Sequence, residues 1–377
     1  MPSADCCVII PTVRDFECLR AYLANARSHR FDVSRLHVVL LTEDDCDKPR
    51  MEAMLRDEGV TGEAFNQRDR THWLRSLGIE KYAGLIPRRS HAETSFGLLY
   101  LWASPQFEYG WFIDDDTLPL AAHDFFGTHL ANLEFSGQVD VVSSDKRWVN
   151  VLFEKFERHG LYPRGYPYGA MQEEISIRRA KVDHVVLSQG LWINVPDLDS
   201  IRILSEGDLQ GLSRTRTVES DFARSFVVDA GNYVTISSMN LAFRREVVPA
   251  FYQLPMDDNP WKIGRYDDIW SGVFLKKACD MLGKSVTTGR PLCVHNKVPR
   301  NVFRDLNAEV PALELNEHLW EVADSVSRGE SYAEACLEIA EALRESRVQL
   351  INADFLGYLA EHLEKWVECL RLVEGGS

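Results

Sequence analysis

Three apolar runs, each too short for a helix and each stopped by a polar residue, most constrain what this chain can fold into. They are "CVIIPT" from Cys7, "LHVVLLT" from Leu36 and "WFID" from Trp111. Their apolar residues run on without alternating, so both faces of each predicted strand are buried. Between them lie segments with helical spacing. In "ECLRAYLANARSH" the residues Leu19, Tyr22, Leu23 and Ala26 share a side, and "AETSFGLLYLWAS" is a second helix. "VDVVSS" and "VVLSQGLWINV" are further strands. Doubly buried strands that alternate with helices predict an α/β fold with a mostly parallel sheet flanked by helices. Ligands of such sheets bind beyond the carboxyl ends of the strands. Thr12, Arg14, Asp44 and the triplet Asp114-Asp115-Asp116 all fall at such ends.

The pattern changes along the chain. From about Tyr162 to Val228 it is rich in Gly, Pro, Arg and Asp and predicts long irregular segments, which in a compact domain are usually functional. "GRYDDIWSGVFLKKACDMLG" restores a helix, with Gly283 as its stop. From Asn316 onward come amphipathic helices with no strand between them. The expected division is therefore 1–315 for a ligand-binding domain and 316–377 for a helical C-terminal appendage. That appendage packs on the domain or makes an oligomer contact.

Composition narrows the function. The formal net charge of -15 argues against nucleic acid, whose phosphates need a basic face. No apolar run reaches the ~18 residues of a membrane span, and the first residues lack a signal-peptide pattern. The eight cysteines are scattered without C-x-x-C, which points to neither zinc nor disulfides and to a reducing cytoplasm.

The residues that can carry chemistry are few. Asp114, Asp115 and Asp116 form either a solvated turn or a site for Mn²⁺ or Mg²⁺, which favour carboxylate oxygens and leave room for phosphates. His295, Lys297 and Arg300 lie in "CVHNKVPRN", as a metal ligand and diphosphate contacts or as ordinary polar residues. Asp267 and Asp268 open a helix, where carboxylates cap free N–H groups, and can equally accept sugar hydroxyls. Arg164, in "LYPRGYPYG", reads as a phosphate or carboxylate clamp. Asn240, in "SSMNLAFRREVV", is within reach of a ligand, while Met239 and Phe243 are core.

These pieces, in this order, resemble one family, the reversibly glycosylated polypeptides, also known as UDP-arabinopyranose mutases. The resemblance runs from about Cys7 to Ala312. It rests on "VIIPTVRDFECL", "FNQRDRTHWLRSLG", "WFIDDDTL", "YPRGYPY", "SQGLWINVPDLD", "SSMNLAFRRE" and the stretch from "IGRYDDIWSG" to "CVHNK". It implies a GT-A-like (Rossmann-like) nucleotide-sugar fold and a divalent metal, Mn²⁺ or Mg²⁺. The implied activity interconverts pyranose and furanose forms of UDP-arabinose or a related UDP-sugar, with reversible self-glycosylation on Arg164. On this resemblance the metal ligands are Asp114, Asp116 and His295, and the catalytic residues are Arg164, Asp267 and Asp268. The nucleotide and diphosphate contacts are Pro11, Thr12, Arg14, Asp44, Arg68, Asp114, Asp115, Asn240 and Lys297. The expected partners are a UDP-sugar and other copies or paralogues in an oligomer. Two alternatives stay open: a GT-A glycosyltransferase with a separate acceptor, and a non-catalytic nucleotide-sugar-binding subunit. The chain departs from the family at "TEDDCD" and in a longer, charged segment between Gly169 and Ser188, which leaves the sugar open and offers room for an acceptor pocket.

Overall fold

The computed structural model describes residues 4–13, 17–153, 160–222, 224–257 and 259–375. Its strands are β1 (Cys6–Pro11), β2 (Leu36–Leu41), β3 (Thr61–Phe65), β4 (Tyr109–Ile113), β5 (Thr117–Pro119), β6 (Gly137–Ser144) and β7 (Ile175–Val182). They continue with β8 (Val185–Gln189), β9 (Leu191–Asn194), β10 (Phe226–Val228), β11 (Asn240–Arg244), β12 (Ser285–Thr288) and β13 (Pro291–His295). The helices are α1 (Glu17–Ser28), α2 (Lys48–Asp57), α3 (Gln67–Ser76), α4 (Thr94–Ala103) and α5 (Phe125–Leu133). After them come α6 (Ser200–Ser205), α7 (Asp267–Met281), α8 (Val302–Asp324), α9 (Tyr332–Glu345) and α10 (Asp354–Gly375).

Period-two alternation sends successive side chains of β1 to opposite faces. Cys6, Val8 and Ile10 belong to the apolar cluster of α1, α2 and α5, while Cys7 and Ile9 face α4 in the larger cluster that also takes in the C-terminal helices. Every one of these residues is fully buried, as the unbroken apolar runs predict. The main sheet has the order β3-β2-β1-β4-β11-β8-β12-β10-β6-β7. Its first four strands are parallel neighbours, and β11 then enters antiparallel to both β4 and β8. The result is a mixed α/β sheet with a parallel half. The carboxyl ends of β1, β2 and β4 and the amino end of β11 lie along one rim.

A second sheet, β5-β13-β9, extends from that rim. Its register pairs His295 with Thr117 and, on the other side, with Asn194. The C-terminal helices share the main core: Leu315, Leu319, Ile339, Phe355 and Trp366 belong to the same apolar cluster as Phe112 and Phe243. Position 315 falls inside the continuous helix α8, so the expected division at that point lies within one element. No helix among the described residues is long and apolar enough to cross a membrane. All eight cysteines are free thiols.

Candidate functional site

The acidic triplet is a tight turn at the end of β4. The Asp114 N–H donates to the Met239 carbonyl (3.3 Å), and the Asp114 carbonyl accepts from the Thr117 N–H (3.1 Å) and hydroxyl (2.8 Å). Asp115 accepts from the Thr12 hydroxyl at 2.9 Å, which ties the triplet to the end of β1. The His295–Thr117 register brings the imidazole beside the triplet, with Nε2 3.8 Å from Asp116 Oδ2. His295 Nδ1 lies 2.8 Å from the Val195 carbonyl. A carbonyl only accepts, so Nδ1 carries a proton and Nε2 is the nitrogen left facing the carboxylate. An imidazole nitrogen and a carboxylate oxygen, both electron-pair donors, fit a divalent cation, and the bonded Nδ1–H is the usual outer support of a metal histidine. Asp114 turns elsewhere: its Oδ1 is 3.3 Å from His91 Nε2. Among the described residues no three metal-capable side chains converge. Of the expected set Asp114, Asp116 and His295, the structure pairs Asp116 with His295 only.

Arg164 sits where the loop before β7 meets the segment after β9. Its backbone N–H donates to the Asp197 carbonyl (2.8 Å). Its guanidinium pairs with the Asp197 carboxylate at 3.1 Å and with Asp268 at 3.4 Å, and it also donates to the Arg265 carbonyl. Burial disfavours the guanidinium, but Asp197 and Asp268 outweigh it and raise Arg164 well above an ordinary arginine. Asp197 responds in kind: burial opposes its charge, yet Arg164 and Lys297 hold it well below the usual carboxylate range. Lys297 is pushed down by burial, and its ammonium has no hydrogen-bond partner among the described residues.

Asp267 and Asp268 stand at the start of α7; Tyr266 holds the cap position without a side-chain bond, and Asp268 Oδ1 accepts from the Ile269 N–H at 2.9 Å. Asp267 instead meets His91 Nδ1 at 2.8 Å. Burial raises its pKa, but the His91 charge wins and lowers it overall. Asp268 faces Arg164 and accepts from the Ser238 N–H at 3.3 Å. Burial, assisted by Asp267, raises it against the pull of Arg164. The same two forces act on His91, where burial is overcome by Asp267 and Asp114 and the imidazole is raised well above an ordinary histidine.

These groups line a cleft of two lobes. One, of about 550 Å³, runs over the ends of β1 and β2 past Pro11, Thr12, Val13, Glu43, Asp45 and Cys46. The other, of about 380 Å³, holds Arg164, Asp197, Asp257, Asp267, Asp268, His295 and Lys297. Arg89, Ser90, His91, Asp114 and Asp116 line both, so the triplet lies at the joint.

Several expected contacts fall outside this cleft. Asp44 and Arg68 pair with each other at 3.6 Å and line a separate depression with His72, Arg75 and Arg88. Asn240 is buried in the sheet, where its amide donates to the Leu191 carbonyl (2.9 Å) and its oxygen meets His129 (2.9 Å). Its side chain is bonded at both ends within the fold and lines neither lobe. Arg14 lies outside the described residues. No residue of the charged 169–188 segment lines either lobe; it supplies β7, an edge strand, and most of β8 inside the sheet. Sequence reasoning missed His91, Arg89, Asp197 and Asp257. Asp197 stood within a quoted motif, and His91 follows two arginines just ahead of a helix, which was the available signal.

The family model described as reversibly glycosylated polypeptide matches residues 3–375. The chain is 28% identical to probable UDP-arabinopyranose mutase 1 of Pisum sativum, over 96% of this chain and 89% of that protein. It is 27% identical to UDP-arabinopyranose mutase 1 of Arabidopsis thaliana, over 96% and 90%. Among solved structures, a mannosyltransferase from Pyrobaculum calidifontis in complex with GDP-Man and Mn²⁺ aligns at 14% identity and TM-score 0.40, covering 99% of this chain and 86% of that one. Glucosyl-3-phosphoglycerate synthase from Mycobacterium tuberculosis, with Mn²⁺ and UDP, aligns at 12% identity and TM-score 0.39, covering 83% and 80%.

Proposed function

Because the chain belongs to the reversibly glycosylated polypeptide family, we propose that it is a metal-dependent UDP-sugar mutase. It interconverts the pyranose and furanose forms of UDP-arabinose or a related UDP-sugar, with Arg164 as the transient sugar carrier. The observation that carries this reading is the joint of the two lobes. There Asp116 meets His295 of the smaller lobe, which Lys297, without a hydrogen-bond partner among the described residues, lines together with Arg164, Asp197 and Asp268. A nucleotide in the larger lobe then places its diphosphate at the joint and its sugar in the smaller lobe.

Asp116 and His295 would hold the divalent cation, which when bound neutralises charge on the diphosphate leaving group. Lys297, whose amine has no hydrogen-bond partner among the described residues, would meet the same anion, and the anion's charge would offset the burial that disfavours the ammonium. In the proposed sequence an Arg164 nitrogen bonds to the anomeric carbon as the bond to the diphosphate oxygen breaks. The two carboxylates hold Arg164 as a guanidinium, so its proton leaves only as the new C–N bond forms. Asp268, whose carboxyl is raised by burial, takes that proton. The nitrogen lone pair then expels the pyranose ring oxygen, which receives the proton from Asp268. The 4-hydroxyl closes onto the anomeric carbon and returns a proton to Asp268. Re-addition of UDP breaks the C–N bond, and Asp268 returns its proton to the departing nitrogen, which restores the guanidinium and the carboxylate, so no atom is gained or lost.

The test uses wild-type protein with UDP-arabinopyranose and Mn²⁺ and no acceptor. NMR follows the furanose signals and intact mass follows the protein. Furanose formation together with one pentose on the protein, discharged by excess UDP, is the expected result. Hydrolysis, or sugar passed only to an added acceptor, would replace this reading with a glycosyltransferase. Binding of the UDP-sugar with neither furanose, hydrolysis nor transfer would leave a non-catalytic nucleotide-sugar-binding subunit.

A further inference from the structure

We propose that His91 is a positioning residue that makes the two lobes one rigid unit, by holding Asp267 of the sugar lobe and Asp114 of the triplet from a single ring. The inference rests on the proposed mutase site and adds to it a residue that no part of that reading uses. Nδ1 is hydrogen-bonded to Asp267 Oδ2 at 2.8 Å and Nε2 to the Ser238 hydroxyl at 3.0 Å, while Asp114 Oδ1 approaches Nε2 to 3.3 Å as an ion pair and not as a hydrogen bond. Asp267 belongs to α7 and Asp114 to the end of β4, elements with no strand pairing between them. The imidazole is a direct side-chain bridge across that gap, beside the backbone route in which Ser238 meets Asp268 and Met239 meets Asp114, and it lines both lobes.

The backbone that carries His91 is itself fixed. Ser90 caps the turn by accepting from the Ala92 N–H (3.3 Å), and the Thr94 hydroxyl donates to the His91 carbonyl (2.8 Å). One residue earlier, the Arg89 N–H donates to the buried Glu43 carboxylate at 2.7 Å. A side chain on such a turn can set the position of two carboxylates to within the tolerance that catalysis needs. Without it Asp267 is free to turn back onto the exposed N–H groups of its own helix terminus.

The experiment compares His91→Ala, His91→Asn and His91→Gln with wild type. The Asn amide reaches about as far as Nδ1 and the Gln amide about as far as Nε2, so each restores one side of the bridge. For His91→Ala we expect kcat to fall by about 100-fold, the scale of a small misplacement, with KM and calorimetric UDP affinity within about threefold. His91→Asn, which keeps a donor toward Asp267, recovers part of kcat. A His91→Ala protein with unchanged kcat, or one that loses UDP affinity in parallel with kcat, would overturn the proposal. A second readout needs no turnover. His91→Ala, Asp267→Asn and the double variant are compared by Tm, and the double variant is expected to fall no further than the worse single one. Additive losses would show that the tie is absent. A wild type that makes no furanose would instead sink the mutase reading while the Tm cycle still reported on His91.

Discussion

Arg164 does two things that a single substitution cannot separate. It is the residue proposed to carry the sugar, and it neutralises two buried carboxylates, Asp197 and Asp268. Removing one partner of a buried ion pair costs about 3–5 kcal/mol. Arg164→Ala is therefore expected to lose stability of that order in urea unfolding, and its loss of activity alone says nothing about a covalent role. Arg164→Lys keeps the charge but not the fork, so it is expected to fold nearly as well and to carry no sugar by intact mass. Sugar retained at another residue of the Arg164→Lys variant would remove Arg164 from the mechanism. The next residue explains how the guanidinium is aimed. Gly165 has φ +85°, and a Cβ there would overlap Ile269 Cγ2, beside Asp268. Gly165→Ala is expected to cost about 3 kcal/mol from left-handed strain and overpacking and to lower kcat through displacement of Arg164. Wild-type stability in chemical unfolding would contradict this. Sequence made Arg164, Asp267 and Asp268 visible as types and positions. It did not show that Asp268 faces Arg164 while Asp267 faces His91, because adjacent helix residues point about 100° apart and their partners lie far along the chain.

Among the elements, the strands that build the parallel half were legible because a doubly buried strand is an unbroken apolar run. β5 and β9 were not separable by that rule, being short and continuous with their neighbours, and it is their sheet that carries His295 to Asp116. Register between distant strands leaves little trace in local pattern, since it is set by long-range pairing. The same limit hid the role of α8, which braces the smaller lobe from behind. Its buried Glu309 accepts from Arg265 at 2.5 Å, and Asn316 donates to the Gly165 carbonyl at 2.9 Å. On the opposite side of the sheet His129 of α5 joins β8 to β11, through Ser188 and Asn240 at 2.9 Å each. Burial outweighs these bonds and depresses its pKa from 6.5 to about 4. A base held neutral in the fold contributes stability that is complete above its unfolded value and is lost as pH falls from 6.5 toward 4. The loss amounts to about 3 kcal/mol. Glu93, whose carboxyl burial raises from 4.5 to about 7, works in the opposite direction, losing its contribution as pH rises through that window. The difference between wild type and His129→Gln isolates the histidine. Urea unfolding across about pH 4–7 is expected to show a shallower acid loss in the variant, and identical profiles would place the acid sensitivity elsewhere.

At the scale of the molecule, the helical C-terminus reads in sequence as an appendage because amphipathic helices look alike whether they pack on their own domain or on another chain. The structure puts their apolar faces into the main core. Trp366 of α10 is fully buried, its ring stacks on Tyr252 at 5.0 Å, and its indole N–H donates to the Val248 carbonyl at 3.1 Å. Phe355, Leu356, Leu359, Leu363, Val367 and Leu370 are buried beside it. Each such side chain contributes about 2 kcal/mol when fully buried, so α10 accounts for more than about 10 kcal/mol of burial, comparable with the whole net stability of a typical domain, about 5–15 kcal/mol. A chain ended after residue 351 would also leave bare the surfaces of α4 and α9 that α10 covers. Such a truncation is expected to be insoluble or to lack a cooperative unfolding transition by circular dichroism. If α10 were an oligomerisation arm laid on a finished domain, the shortened chain would instead be a folded monomer that binds UDP as the full chain does. Size-exclusion chromatography and UDP calorimetry on the shortened chain decide between these outcomes, and a folded, UDP-binding product would show that the cleft stands without the helices that pack behind it.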